Sequence, residues 1–196
     1  MIEPLVLDKI TKILNKSNIK HGNVLGIGSS PHHKDVLHLD FFKKHKENFN
    51  ITGINISGNF GNFGNFEVIK CDAHNIVFND NYFDIILCNS MLEHDGEFWL
   101  TIQEVNRVLK PGGIFIAITQ GYVDELAEKY VDMKFVSDRV KYDFCCSTLT
   151  YQIHGDDYYR FSQKSFQDII FKGMINVNVV AVMRPPRIIG WGYGNK

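Results

Sequence analysis

The sequence predicts a single α/β domain built on a mostly parallel sheet, and three observations carry this prediction. Short apolar runs rich in β-branched residues recur along the chain, as expected of strands that are buried on both faces. Segments with apolar residues at helical spacing lie between several of these runs. From Phe83 to Thr119, strand, helix and strand follow one another as in a β-α-β unit, which normally has parallel strands and a right-handed crossover.

This β-α-β unit is the clearest part of the pattern. Its elements are a strand at Ile85–Cys88, a helix that presents Phe98, Ile102, Val105 and Leu109 on one face, a stop at Lys110-Pro111-Gly112-Gly113 and a strand at Ile114–Ile118. In open sheets of this class, ligands bind beyond the carboxyl ends of the strands. We therefore expect the loops at Asn89–Asp95 and Thr119–Tyr122 to form a pocket.

The other elements are predicted from the same patterns, and they bring the strand count to seven. Before the unit come a helix at Leu5–Asn15, a strand at Asn23–Gly28, a helix at Leu37–Phe49 and strands at Ile51–Ile54 and Glu67–Lys70. After it come helices at Val123–Val131 and Gln163–Phe171, the latter capped by Ser162, and strands at Ile175–Met183 and Arg187–Trp191. We see no domain boundary in residues 1–196: residues 1–20 hold the N-terminal helix, and 132–162 are predicted to be a loop region on the substrate side.

A three-residue unit is repeated three times in GNFGNFGNF, from Gly58 to Phe66. The simplest interpretation is a Gly/Asn-rich turn whose phenylalanines fold back onto the surface. A second interpretation is an aromatic lip over a flat base, since aromatic rings stack well on such groups. An aggregation-prone segment is the third.

The composition excludes several classes of protein. The hydrophobic content of 44% is ordinary for a soluble globular protein, and the net charge of −1 gives no basic field for nucleic acid or an anionic membrane. No apolar stretch approaches the length that spans a bilayer, and the first residues lack the pattern of a secretory signal. The four cysteines show no CxxC spacing, which fits free thiols in a reducing cytoplasm.

One segment connects the chain with a known family. FDIILCNSMLEH, followed by a helix ending in RVLKPGG, resembles the later half of class I S-adenosylmethionine-dependent methyltransferases, and the resemblance extends roughly from Asn23 to Gly173. It implies a doubly wound, Rossmann-like, seven-stranded sheet with helices on both faces. It also implies S-adenosyl-L-methionine as the cofactor.

The resemblance implies a set of cofactor-binding residues. The glycine-rich loop of the family falls on Gly26, Gly28, Ser30 and His32, where Gly28 is fully retained and Gly26 replaces an acid. Asn55 stands where a carboxylate usually receives the ribose hydroxyls, so an Asn55→Asp change is expected to tighten binding. The other matching positions are Asp72 and Ala73 near the adenine, and Asn89 and Ser90 near the methionine end.

The acceptor side is predicted from two segments. His94, in Glu93-His94-Asp95, follows a strand and is a candidate base or acceptor contact, with a structural hydrogen bond as the alternative. His154 begins a segment, His154–Ser162, that resembles the DYYRF-type motif of a methyltransferase subgroup, and it is the second catalytic candidate. Several members of that subgroup belong to saccharide or secondary-metabolite pathways, so the resemblance implies a small polar acceptor. In that motif Tyr158, Tyr159 and Arg160 are either acceptor contacts or a packed corner. No metal site is predicted, since nothing fixes the distances among the histidines.

Two functions from different classes follow. The first is a methyltransferase that acts on oxygen or nitrogen of a small polar acceptor. The second is a catalytically degenerate binding or scaffold protein with the same fold, motivated by Gly26, Ser30, His32 and Asn55. A nicotinamide- or nucleotide-binding protein is a weaker third, because GIGSSP lacks the GxGxxG pattern. The acceptor and the oligomeric state, including a homodimer, stay open.

Overall fold

The chain forms a mixed sheet covered by helices on both faces. In the computed structural model, residues 4–32, 35–122, 158–182 and 187–195 are described. The strands in this part are β1 (Gly22–Ile27), β2 (Phe49–Asn55), β3 (Gly61–Asn62), β4 (Glu67–Lys70), β5 (Phe83–Asn89), β6 (Leu109–Gln120), β7 (Ile175–Val182) and β8 (Arg187–Tyr193). Their order in the sheet is β3-β4-β2-β1-β5-β6-β8-β7.

Strands β4, β2, β1, β5 and β6 form a parallel centre, while β3, β8 and β7 add antiparallel edges. The chain leaves β1 toward β2 and β4, then returns to β5 on the other side of β1. The strand order therefore reverses between β1 and β5, which is the position where doubly wound sheets bind ligands. The predicted fold class is confirmed.

The helices divide between the two faces of the sheet. One face carries α1 (Pro4–Lys16) and α2 (Asp40–Lys44), whose buried Ile10, Leu14 and Phe42 join one apolar cluster. The other carries α3 (Phe98–Val108) and α4, a helical turn at Gln163–Ser165 that continues as a π-helical turn at Phe166–Ile170. The predicted Ser162 cap is confirmed, since its side chain accepts from the Ser165 N–H at 3.0 Å.

The predicted helix at Leu37–Phe49 is wrong in its extent. A 3₁₀ turn at Val36–His38, the short α2 and a second 3₁₀ turn at Lys46–Asn48 replace it, and Phe49 already belongs to β2. Leu39 has an extended backbone at φ −52° and ψ 140°, which interrupts the helical path. Pairing of Phe49 with Gly22 fixes the start of β2 and leaves no room for a longer helix.

The sheet has eight strands in the described part of the chain, one more than predicted, because the GNF repeat supplies β3. Gly61 and Asn62 pair antiparallel with Val68 and Glu67 at the edge of the sheet. Phe66 is buried and meets the His38 ring edge to face, with centroids 4.8 Å apart, whereas Phe60 is exposed. The repeat is thus an edge strand and turn anchored by the buried Phe66, with Phe63 partly buried against the same core cluster.

Some predictions lie outside the described residues. They are the helix at Val123–Val131, most of the 132–162 loop region, and His154. Among the cysteines, Cys71 and Cys88 are free and buried as expected.

Candidate functional site

A cavity of about 600 Å³ opens at the carboxyl edge of the sheet, where the strand order reverses. Loops that follow four parallel strands form its walls. The lining residues are Ile27 and Gly28 at the end of β1, Ile54–Ser57 at and beyond the end of β2, Cys71–His74 after β4, and Ser90, Met91, His94 and Asp95 after β5. The volume lies in the range of sites that take a drug-sized ligand or cofactor.

The loop after β1 is fastened to the end of β2 by two hydrogen bonds. The Ser29 N–H donates to the Ile54 carbonyl at 3.1 Å, and the Asn55 amide nitrogen donates to the Ser29 carbonyl at 3.0 Å. Gly28 turns the chain at φ +71°, and a Cβ there would lie 2.8 Å from Met91 Cγ. A side chain at Gly28 would therefore require both a strained backbone and a displaced Met91.

A partly buried carboxylate, that of Asp35, supports the same loop. Asp35 accepts from the Ser30 N–H and the Leu37 N–H, both at 2.9 Å, and lies 3.3 Å from Ser29 Oγ. Burial raises the pKa of Asp35, while these donors act in the opposite direction. Asp35 was missed in the sequence, although an Asp directly before the apolar pair Val36-Leu37 is a recognisable cap signal.

Gly26 has a packing role beneath this loop. It is buried, and a Cβ at this position would lie 2.2 Å from Ser29 Oγ and 2.9 Å from a Leu37 methyl carbon. The space that an acidic side chain would need at position 26 is therefore filled by Ser29 and Leu37. Gly26 is not among the residues that line the cavity.

Polar groups in the segment after β4 form another wall of the cavity. The Asp72 side chain is half exposed, and its Oδ1 accepts from the His74 N–H at 2.9 Å. Ala73 and His74 line the cavity beside it. His74 Nε2 in turn lies 2.9 Å from Oδ1 of Asp95, which belongs to the loop after β5. This contact joins two loops across the cavity, and sequence spacing gives no signal of it because 21 residues separate the pair.

The loop after β5 places a histidine and a buried acid side by side. Leu92–His94 forms a 3₁₀ turn, His94 lines the cavity, and Glu93 is fully buried. Neither carboxylate oxygen of Glu93 has a hydrogen-bond partner within the described residues. Burial raises the pKa of Glu93, and the charges of His94 and Arg187 partly oppose this effect.

The Tyr158–Arg160 segment docks on that loop. The N–H groups of Tyr158 and Tyr159 donate to the Glu93 carbonyl at 2.8 and 3.2 Å. The Tyr159 hydroxyl donates to the Gly96 carbonyl at 3.0 Å, and its ring meets Phe98 edge to face. Arg160 donates to the Tyr159 carbonyl at 2.8 Å. These contacts place the segment beside His94, but none of its three residues lines the cavity.

The structure thus brings six of the predicted site residues together at one cavity: Gly28, Asn55, Asp72, Ala73, Ser90 and His94. Gly26, Ser30 and Asn89 lie in the same loops and strands without lining it. His154 lies outside the described residues. Met91 and Asp95 also line the cavity and lie in the predicted pocket loop Asn89–Asp95, although they were not singled out, whereas His74 was missed.

The comparison with known proteins agrees with the position of the cavity. Residues 25–117, from β1 to the middle of β6, match the sequence model of a family described as "Methyltransferase domain". This part of the chain is similar to methyltransferase domains. The matched range holds all four loops that form the cavity.

Proteins similar in sequence to this chain include a demethylmenaquinone methyltransferase of Staphylococcus haemolyticus, 32% identical over 109 residues, which are 55% of this chain and 37% of that protein. The YcgJ protein of Bacillus subtilis has a similar structure, with a TM-score of 0.64 and 14% identity over 99% of this chain and 100% of that one. The phosphoethanolamine N-methyltransferase 2 of Haemonchus contortus, solved in complex with S-adenosyl-L-methionine, gives a TM-score of 0.65 and 15% identity over 96% of this chain and 53% of that one.

The chain matches its curated relatives over part of their length. The first three are covered over 22% to 37% of their length. Across the described part of the chain, no helix combines the length and apolar character needed to cross a membrane.

Proposed function

We propose that this chain is an S-adenosylmethionine-dependent methyltransferase that acts on oxygen or nitrogen of a small polar acceptor. The observation that carries the proposal is the cavity at the strand-order reversal, which holds Gly28, Asp72 and His94 on three different loops. Both the position and the residue types agree with a methyltransferase domain that holds a nucleoside-containing cofactor.

The residues present fit such a cofactor. Gly28 allows close approach of a ligand to the backbone, and Ile27, Ile54, Ile56 and Met91 supply apolar surface along the cavity. In this proposal Asp72 and Ala73 hold the adenine, and Ser90 holds the methionine end. Asn55 lines the cavity without a carboxylate, so the ribose hydroxyls would meet a neutral wall there.

The bound cofactor would supply an activated methyl group on a positively charged sulfur. The chain's own residues would then position the acceptor, exclude water and receive a proton. His94 is the proposed base because it lines the cavity on the loop after β5. Tyr158, Tyr159 and Arg160 lie against the backbone of Glu93, beside His94, and are proposed to hold the acceptor. His154 is the second candidate for a catalytic residue, and this proposal rests on the sequence alone.

Two alternatives remain as outcomes of the test. Two observations favour a degenerate, non-catalytic binding protein. Gly26 replaces the acid of the family's cofactor loop, and the Asn55 amide donates to the Ser29 carbonyl. Demethylmenaquinone as the acceptor is favoured by the similarity to the staphylococcal demethylmenaquinone methyltransferase.

The test is transfer of a labelled methyl group from S-adenosylmethionine to a panel of small alcohols and amines, with a quinol as a separate arm. We expect labelled product from an alcohol or amine, and a much lower turnover in His94→Phe with unchanged cofactor affinity. The matched control is His45→Phe, since His45 is exposed and lies outside the cavity. Product from the quinol alone would replace the proposed acceptor, and cofactor binding without any product would favour the binding protein.

A further inference from the structure

Asn55, at the end of β2, uses both of its polar side-chain atoms within the chain. Its amide nitrogen donates to the Ser29 carbonyl at 3.0 Å, although the residue lines the cavity. Its amide oxygen accepts a longer hydrogen bond from the Ser57 N–H at 3.4 Å. An amide oxygen has two lone pairs, so Asn55 can accept at most one further hydrogen bond from a ligand, and that bond is to a neutral group.

The carboxylates of the cavity wall lie in other segments. Among the described residues that line the cavity, they belong to Asp72 and Asp95. Asp95 follows β5, which is separated from β2 by β1, and its two oxygens accept from the Glu97 N–H at 2.9 Å and the Thr101 hydroxyl at 2.6 Å. Asp72 is the proposed contact of the adenine. A sugar beside Asn55 therefore meets an amide where the family pattern has an acid.

The cavity also opens to solvent beside Asn55. The next three residues, Ile56, Ser57 and Gly58, are all exposed, and Ile56 is 64% exposed although it lines the cavity. The hydroxyls of a sugar held here can stay hydrated in the complex, as they are in solution. A hydroxyl that keeps its water contributes little to affinity, because binding makes no new hydrogen bond for it.

We propose that the cofactor site of this chain does not select for the ribose hydroxyls and takes S-adenosyl compounds whose sugar lacks one of them. Asn55 is then a positioning residue that holds the loop of Gly28 through the Ser29 carbonyl. The inference rests on the proposed function, because it assumes that an S-adenosyl compound occupies the cavity. It assigns to this chain a cofactor range that the acid of the family pattern would restrict.

The size of the effect follows from the kind of acceptor. A hydrogen bond to a charged group contributes about 10- to 150-fold in affinity, whereas a bond between neutral groups contributes about fivefold. Removal of one hydroxyl from the sugar should therefore cost less than about fivefold at a site with Asn55. The same removal should cost at least about tenfold where a carboxylate holds the hydroxyl.

The test is calorimetric titration of the full chain with S-adenosylhomocysteine and with its 2′-deoxy and 3′-deoxy forms. We expect the three affinities to agree within about fivefold. A larger loss for either deoxy ligand overturns the inference and leaves the proposed function intact. Absence of S-adenosylhomocysteine binding overturns the proposed function and the inference with it.

Asn55→Ala separates a positioning role from a direct contact with the sugar. We expect this change to weaken all three ligands by the same factor, because the loop after β1 loses a hydrogen bond while the sugar loses none. The matched control is Asn50→Ala, at an exposed asparagine of β2 outside the cavity, which should leave the three affinities unchanged. A loss that is larger for S-adenosylhomocysteine than for a deoxy ligand would show that Asn55 contacts the missing hydroxyl, and would contradict the inference.

Discussion

The substitution Asn55→Asp is informative because the sequence and the structure predict opposite effects on cofactor affinity. The family pattern puts a carboxylate at this position, so the sequence alone predicts tighter cofactor binding after the change. In the structure the Asn55 amide nitrogen donates to the Ser29 carbonyl at 3.0 Å and holds the loop after β1. An aspartate would replace this donor with an oxygen that faces another oxygen.

The magnitude follows from the lost bond. A partly buried carbonyl left without its donor costs about 1–3 kcal/mol, and because Asn55 lines an open cavity, where water can replace the donor, we expect about 1–2 kcal/mol. For a chain of 196 residues this corresponds to a fall in Tm of roughly 2–8 °C. The freed loop should also weaken S-adenosylhomocysteine binding, because Gly28 lies in it.

The assay is a thermal melt and a calorimetric titration of the variant beside Asn50→Asp. Asn50 is an exposed asparagine on the same strand, and its amide contacts only a surface side chain, Asn23, at 3.2 Å. The control adds the same charge and should change stability by less than about 0.5 kcal/mol. An Asn55→Asp variant with an unchanged Tm and tighter cofactor binding would refute the reasoning. It would support the sequence-based prediction that residue 55 contacts the ribose hydroxyls.

Three further predictions concern other parts of the chain. Arg107→Lys should lower the unfolding free energy by about 2 kcal/mol, because a single ammonium nitrogen cannot replace the three guanidinium nitrogens that donate to the carbonyls of Ile76 and Phe78 and to two carboxylates; an unchanged Tm would contradict this. Asp35→Ala should weaken S-adenosylhomocysteine binding about tenfold, since two loop N–H groups lose their acceptor; titration at equal affinity would contradict it. Burial raises the pKa of Glu93 above 4.5, so the folded chain favours the neutral carboxyl. The Tm of Glu93→Gln should therefore equal that of the wild type below pH 4.5, and it should exceed the wild-type Tm by a growing margin as the pH rises. A wild-type Tm that rises relative to the variant's Tm with increasing pH would contradict this.

The sequence predicted the sheet and the location of the site because both depend on local patterns. Apolar runs indicate β5, α3 and β6 without knowledge of distant contacts. The predicted boundary was displaced, since α3 ends at Val108 and β6 begins at Leu109 and includes the KPGG segment. The order of strands then places the residues after them at one edge, so Asp72, Ser90 and His94 line the cavity as expected.

The remaining features depend on contacts between distant residues. Asn55 reaches the Ser29 carbonyl across 26 positions, and His74 reaches Asp95 across 21. Neither pairing follows from periodicity, because side-chain direction at the end of a strand is set by its neighbours in the sheet. The broken helix before β2 has the same origin, since pairing of Phe49 with Gly22 overrides a helical pattern.

The central claim is that the cavity beside Asp72 holds S-adenosylmethionine, and calorimetric titration of the wild type and Asp72→Ala with this cofactor tests it most directly. The account predicts measurable binding to the wild type and an affinity lower by about 5- to 150-fold in Asp72→Ala, as expected for the loss of a hydrogen bond to a charged acceptor worth about 1–3 kcal/mol. No heat of binding at millimolar cofactor, or equal affinity in the two proteins, would contradict it.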